Sequence, residues 1–467
     1  MDDWVRPYWR STQRAGLASA IVIIVAGSAL AADATTTVTF TRDIAPILQQ
    51  KCQVCHQPGS IAPMPLITYE QTRPWVRDIR QKVAQREMPP WHIDKSVGIQ
   101  NFKNDFSLTD DQVAAIVKWV DEGAPKGDPR DMPSPKKLAD PNAWRGVGDG
   151  FGEPDLVINS PSYTMPAVHQ DVWWRPEQAL PLTEPRWVRA VEIRPSTFGG
   201  RKIMHHIIAY RVLNADEADE VNTGTGRGAT LQIVDNLVNA RPQLMEWAIG
   251  KGYDEYLPDT GKLLEPGEKI SWEMHIHAAG EPITSGAQIA LWFYPKGHEP
   301  HHRSYLVGFQ AIGDRTQGSS GLDIRPNSIG MSEGFTTLRK PAILENFQPH
   351  MHLRGKAMEL EAILPDGSHQ VVSFVRNFNF NWMTNYVYAD DAAPAFPAGT
   401  VIHVIAWYDN TTANRNNPDP NQWVGYGNRT VDEMGHAWVN VTYLSDDEYA
   451  DWVKRHAQKP AVSTQQP

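Results

Sequence analysis

Both cysteines of this 467-residue chain lie within five residues, Cys52-Gln53-Val54-Cys55-His56. Two thiols followed directly by an imidazole form the attachment site for covalent c-type haem. Each thiol adds across a vinyl group to give a thioether, and His56 turns back to supply the proximal axial ligand of the iron. A redox disulfide would need a thioredoxin-like βαβ context, and a zinc site would need more ligands nearby. With both cysteines committed to haem no disulfide can form, so packing must hold the rest. At this length roughly two or three domains, each with its own core, are expected.

The start of the chain points to the same oxidising compartment. Arg6, Arg10 and Arg14 precede an apolar run from Ala15 to Ala32 that ends in Ala29-Leu30-Ala31, a small-residue pattern suited to signal peptidase. Residues 1–32 therefore read as a signal peptide, with the mature chain starting near Ala32 or Asp33. A retained anchor is the alternative, since the run approaches spanning length. An exported protein is expected, periplasmic in a bacterium, touching the membrane only through an uncleaved signal. The formal charge of −10 comes with no basic stripe, so nucleic acid is not an expected partner.

Residues 37–128 read as a small all-α domain: one helix from Phe40 to Gln50, a second from Tyr69 to Arg86, and a third from Leu108 to Glu122 capped by Thr109 and closed by Gly123. The sixth iron ligand should be a thioether or a second imidazole. Met88, held extended by Pro89 and Pro90, is the first choice, with Met64 and His92 as rivals. Arg42-Asp43-Ile44-Ala45-Pro46-Ile47-Leu48, Cys52 to His56, Ala62-Pro63-Met64 and Met88 to Trp91 resemble the cytochrome c domains attached to larger exported bacterial enzymes.

Residues 129–152 have the composition of a linker. Beyond it, Trp187 to Ile193, Ile207 to Val212, Ile289 to Tyr294, Met358 to Leu364 and Val401 to Tyr408 alternate or are β-branched between Gly, Pro, Asn and Asp turns. The expected fold is thus a small all-α cytochrome c domain followed by two tandem antiparallel β-sandwich, jelly-roll-like domains at 153–330 and 335–450, with a tail at 451–467. Thr230 to Gly250 reads as a helical insertion.

Histidines concentrate in this β region. His350-Met351-His352 places two imidazoles at i and i+2, on one face of a strand, where both can hold one cation. His275-Ile276-His277 offers a second same-face pair. His205-His206 is adjacent, and neighbours on a regular strand point apart, so joint ligation requires a bulge; copper suits such imidazole sites. Gly297-His298-Glu299-Pro300-His301-His302 reads as a solvated turn.

In chain order, Met204-His205-His206, Glu273-Met274-His275, Gln348-Pro349-His350-Met351-His352-Leu353-Arg354-Gly355-Lys356 and Asp432-Glu433-Met434 resemble the copper type II, ascorbate-dependent monooxygenases. That family includes the peptidylglycine α-hydroxylating and dopamine β-hydroxylating enzymes. The resemblance covers roughly Asp155 to Leu444. It implies two copper ions, one for electron storage on His205, His206 and His275 and one for catalysis on His350, His352 and Met434. His277 is the alternative to His275.

The implied activity is hydroxylation of a C–H bond of a small organic substrate with O2, electrons passing from a periplasmic donor to haem, to the storage copper and to the catalytic copper. Gln348 stands where the peptide-amidating members carry an arginine for a substrate carboxylate, which disfavours peptides. Glu273 stands where glutamine is common in that enzyme. The competing class is a non-catalytic periplasmic electron-transfer or copper-binding protein.

Overall fold

The sharpest local signals fold as their residues dictate. In the computed structural model, which describes residues 37–138, 140, 142–213, 242–312 and 321–457, Thr109 accepts from the Gln112 N–H and Gln112 turns back to the Thr109 backbone. This capping box opens helix α4, Asp110–Asp121, and Gly123 at φ +88° ends it. The expected helix from Tyr69 to Arg86 is broken instead. Pro74 lacks the N–H that a continuous helix needs, so Tyr69–Thr72 and Val76–Ala84 are joined by a 3-10 turn at Arg73–Trp75. The signal-peptide reading of residues 1–32 and residues 458–467 of the tail fall outside the described residues.

The fold class differs from the expectation. Strand accounts for 36% of the structure and helix for 16%, so among the described residues no sizeable all-α cytochrome domain stands ahead of the β region. The helical stretch is four short helices, the longest being α4; Phe40, Ile44, Leu48, Ile79, Ile116 and Trp119 form its small core. The chain between the Val76–Ala84 helix and α4 leaves that core. Ile93 bridges to Val375 and Phe102 to Tyr388, Asp94 N donates to Phe374 O at 2.7 Å, and Trp91, Ile93 and Phe102 are buried among the β residues. Burying such side chains contributes about 2–3 kcal/mol each, which a free-standing helical domain would forgo. Val38–Pro467 accordingly forms one compact unit.

The β region is sandwich-like, but its two halves share a sheet. Edge to edge, the long sheet runs Leu156–Asn159, Ala287–Phe293, Arg186–Pro195, Thr260–Leu264, His302–Gln310, His436–Tyr443, Ala342–Leu344 and Ala395–Phe396. The join is parallel, His302 opposite Thr260. Over its first half lies a sheet containing Lys269–Ile276, Met204–Val212 and Gln243–Ala248, with Ile193, Ile289, Ile207, Leu244 and Trp272 in the core between. Over its second half lie Ile329–Thr337, Val401–Asp409, Gly355–Ile363 and His369–Val375, enclosing Val307, Phe347, Leu360, Val404 and Val439. Two separate tandem sandwiches are therefore not what forms. Alternation in sequence assigns each strand a buried face, but it says nothing of which distant strand lies beside it.

Two further segments depart from their sequence reading. Gln243–Ala248, within the expected helical insertion, is a fully buried strand; residues 230–241 fall outside the described set. In the linker region, Trp144 and the short helix Arg145–Gly148 pack on Ala190, Ala290 and Trp292, covering the outer face of the long sheet.

Candidate functional site: a buried histidine cluster

His206 lies opposite His275 across the pair Met204–Val212 and Lys269–Ile276, and the next pair is Met204 with Ile276. His205 is the extra residue of a β-bulge. The bulge turns two adjacent imidazoles toward one centre: the ring centroids of His205, His206 and His275 are 5.1–5.3 Å apart, and their ligand atoms lie within 4.8 Å of one another.

His350 ends the strand Asn346–His350, and His352 follows two residues on, with ring centroids 5.6 Å apart. His205 stands 5.7 Å from each of them and completes a second trio. The two expected ligand sets thus meet as one five-histidine cluster with His205 common to both trios. His277 lies outside it, its N–H donating to Ile203 O. Met434 lines a cavity of about 240 Å³ together with His206, His350, Trp173, Glu246 and Trp438.

All five imidazoles are buried, and each keeps a ring nitrogen without a hydrogen-bond partner: Nε2 of His205 and His352, Nδ1 of His206, His275 and His350. A buried polar atom left unsatisfied costs about 1–3 kcal/mol, so five at one place mark a site built for something else to bind there. The remaining nitrogens of two of them are held. His275 Nε2 meets Asp171 Oδ2 at 3.0 Å, and His352 Nδ1 donates to Asp432 O at 3.1 Å. Such partners fix which nitrogen faces a metal. Copper fits this donor set, imidazoles with a thioether in the same cavity wall.

Burial, reinforced by the neighbouring histidines, lowers the pKa values of His205, His206 and His350 well below the ordinary imidazole range, and burial pulls His352 down to about 4. These four imidazoles are therefore neutral, as ligands must be. Since an unfolded histidine titrates near 6.5, the unfolded chain binds the more protons below that pH. The stability from keeping His352 neutral is fully present above pH 6.5 and is lost as pH falls toward 4, roughly 3 kcal/mol for this residue. Metal-free protein should accordingly show a falling denaturation midpoint between pH 7 and pH 4.5. A His352→Asn variant should fall less over the same interval; equal slopes would remove His352 from the account.

Residues that the sequence reading missed complete the cluster. Burial favours protonation of Asp171, but hydrogen bonds from His275 and Thr430 outweigh it and hold the carboxyl at about 2. Trp173 stacks on His275 at 4.5 Å and Phe380 on His205 at 4.5 Å. Glu433 accepts from the backbone N–H groups of His352, Arg354 and Met434. Burial nevertheless pushes its carboxyl up to about 8. No periodicity announces Asp171 or Phe380, each far along the chain from the histidine it touches. Glu273 is paired with Arg175 at 2.7 Å.

In the helical stretch, Cys55 N and His56 N both donate to Cys52 O, a turn that folds His56 back over the cysteines. His56 Nδ1 donates to Met64 O at 3.0 Å, which leaves Nε2 for a ligand. Both cysteines are free thiols, and burial pushes Cys52 up to about 12, the reverse of what a redox-active thiolate requires. These residues fit a covalently held haem. Met88 is exposed, Met64 packs against the helical core, and the His92 N–H donates to the Tyr386 hydroxyl.

No family model and no curated protein matches the chain. Among solved structures it is similar to PNGF-II at 10% identity and a TM-score of 0.26, with 62% of this chain and 65% of that chain covered. It is also similar to the infectious bursal disease virus VP2 subviral particle at 8% identity and a TM-score of 0.18, covering 64% and 77%. Likeness at this level carries no inference about activity. Fold and site together define a β-sandwich-like protein with a buried cluster of imidazoles beside a cavity.

Proposed function

We propose that the chain is an exported haem c and copper monooxygenase that hydroxylates a C–H bond of a small organic substrate. The observation that carries this reading is the set of five buried imidazoles with unpartnered ring nitrogens, two of which, His206 and His350, line a cavity that Met434 also lines. His205, His206 and His275 would hold a storage copper, and His350, His352 and Met434 a catalytic one; Cys52, Cys55 and His56 would hold haem, with Met88 or Met64 as its sixth ligand. When bound, the coppers supply one-electron steps and the activation of O2, and the haem supplies electrons taken from a periplasmic donor.

The chain's own residues do the rest. Asp171 and the Asp432 carbonyl orient His275 and His352. Trp173, Ile208, Tyr210 and Trp438 give the cavity an apolar stretch of wall against which a small substrate would pack. Gln348 puts no positive charge near His350, which favours substrates other than carboxylates. Joining the haem segment to the β region in one chain raises the effective concentration of donor at acceptor.

Metal analysis together with oxygen uptake tests this reading. Two coppers and one iron per chain, with O2 consumed one-to-one with a hydroxylated product, is the expected result. Stoichiometric metals without substrate-coupled uptake across a screen of small organic compounds would move the assignment to an electron-transfer or copper-binding protein.

A further inference from the structure

The turn before the strand His302–Gln310 carries His301 and His302, and helix Asp446–Ala457 carries Glu448 in its first turn. Ser445 N and Oγ donate to Glu448 Oε2 at 2.7 and 2.8 Å, and the Glu448 N–H donates to Ser445 Oγ in return. That capping box fixes one carboxylate oxygen and aims the other, Oε1, at the two imidazoles. Oε1 lies 2.7 Å from His301 Nε2 and 3.8 Å from His302 Nε2. His302 is anchored in turn, its N–H donating to Asp259 O at 3.1 Å. The two rings meet edge to face at 4.6 Å.

We propose that His301, His302 and Glu448 form a further metal site, one that takes a first-row divalent cation of the zinc type. Ligand atoms around a tetrahedral zinc at about 2.0–2.2 Å stand roughly 3.3–3.5 Å from one another. The observed separations of 2.7 and 3.8 Å from Glu448 bracket that value, and all three ligand atoms lie within 4.8 Å of one another. Two imidazoles and a carboxylate are the ligand types that zinc shares with catalytic and transport sites, and the partial exposure of His301 and Glu448 leaves the fourth position to water.

The ion takes the place of the His301–Glu448 hydrogen bond. Bound there, the ion ties the 295–302 turn to the C-terminal helix.

The site shares no residue with the five-histidine cluster, so its test stands whatever that cluster holds. Full-length protein stripped of exchangeable metal is dialysed against Zn2+ and the retained zinc counted by mass spectrometry, for wild type, His301→Ala, Glu448→Gln and the control His298→Ala. His301 is two-thirds exposed, so its replacement leaves packing intact. Loss of one zinc equivalent in His301→Ala and in Glu448→Gln but not in His298→Ala is the expected result, with zinc slowing amide exchange over residues 296–302 only where the ligands are complete. Equal zinc in wild type and His301→Ala overturns the site and leaves a surface ion pair.

Discussion

His205→Ala should lower the copper held per chain more than any other single histidine substitution, from two to below one, whereas His275→Ala or His352→Ala should each bring it toward one. His205 is the residue that both imidazole trios share: its ring lies 5.3 Å from those of His206 and His275 and 5.7 Å from those of His350 and His352. Taking one ligand from a three-ligand site removes its closed coordination; His205 is a ligand of the storage set, and its ring also packs beside those of His350 and His352 in the catalytic set. The alanine also leaves a void beside Phe380, which stacks on His205, yet it removes a buried polar atom that lacks a partner in the metal-free protein. Metal-free stability should therefore change little while copper content collapses. Copper counted by mass spectrometry after loading and desalting decides the matter. Equal loss in His205→Ala and His275→Ala would mean that the trios bind independently and that the shared position carries no special weight.

Glu433→Ala should be the most destabilising single change near the site, by about 3–5 kcal/mol in chemical denaturation. The carboxylate is wholly buried and accepts from three backbone N–H groups, His352 at 2.9 Å, Arg354 at 2.5 Å and Met434 at 3.3 Å. Alanine strands all three without water to replace the acceptor. It also removes the carboxyl group beside Arg354, whose guanidinium is bonded to Asn410 Oδ1 and Val431 O. Glu433→Gln keeps an acceptor oxygen and should cost less, about 1–2 kcal/mol. Since the same carboxylate clamps the loop of His352 to the residue before Met434, the alanine variant should lose copper as well as stability. A midpoint within about 1 kcal/mol of wild type would show that the clamp is dispensable.

Local structure was largely legible. The alternating runs Trp187 to Ile193, Ile207 to Val212 and Val401 to Tyr408 fall inside Arg186–Pro195, Met204–Val212 and Val401–Asp409. Thr109 and Gly123 bound α4 as their chemistry requires. His350 and His352 stand together, ring centroids 5.6 Å apart, but His352 lies past the strand end at His350, so the two-residue strand period does not by itself place it. What failed was the assembly of these pieces: a separable helical domain and two separate sandwiches were expected, while the chain after Met88 inserts into the β core and one long sheet runs through both halves. The strand Gln243–Ala248 was missed because a short, wholly buried run carries no alternation to distinguish it from a helix.

By itself the amino-acid sequence determined the chemistry on offer: two thiols and an imidazole in one motif, histidines at strand spacing, a methionine beside an acidic pair, and turns that set where strands begin and end. These are local properties, fixed by the conformations that neighbouring residues allow. Tertiary structure alone decided that His205 sits in a bulge, that five histidines from three strands share one centre, that Asp171 reaches His275, and that Glu448 faces His301 and His302. Each of these depends on contacts between residues far apart in the chain, whose geometry follows from the packing of whole sheets and from no local pattern.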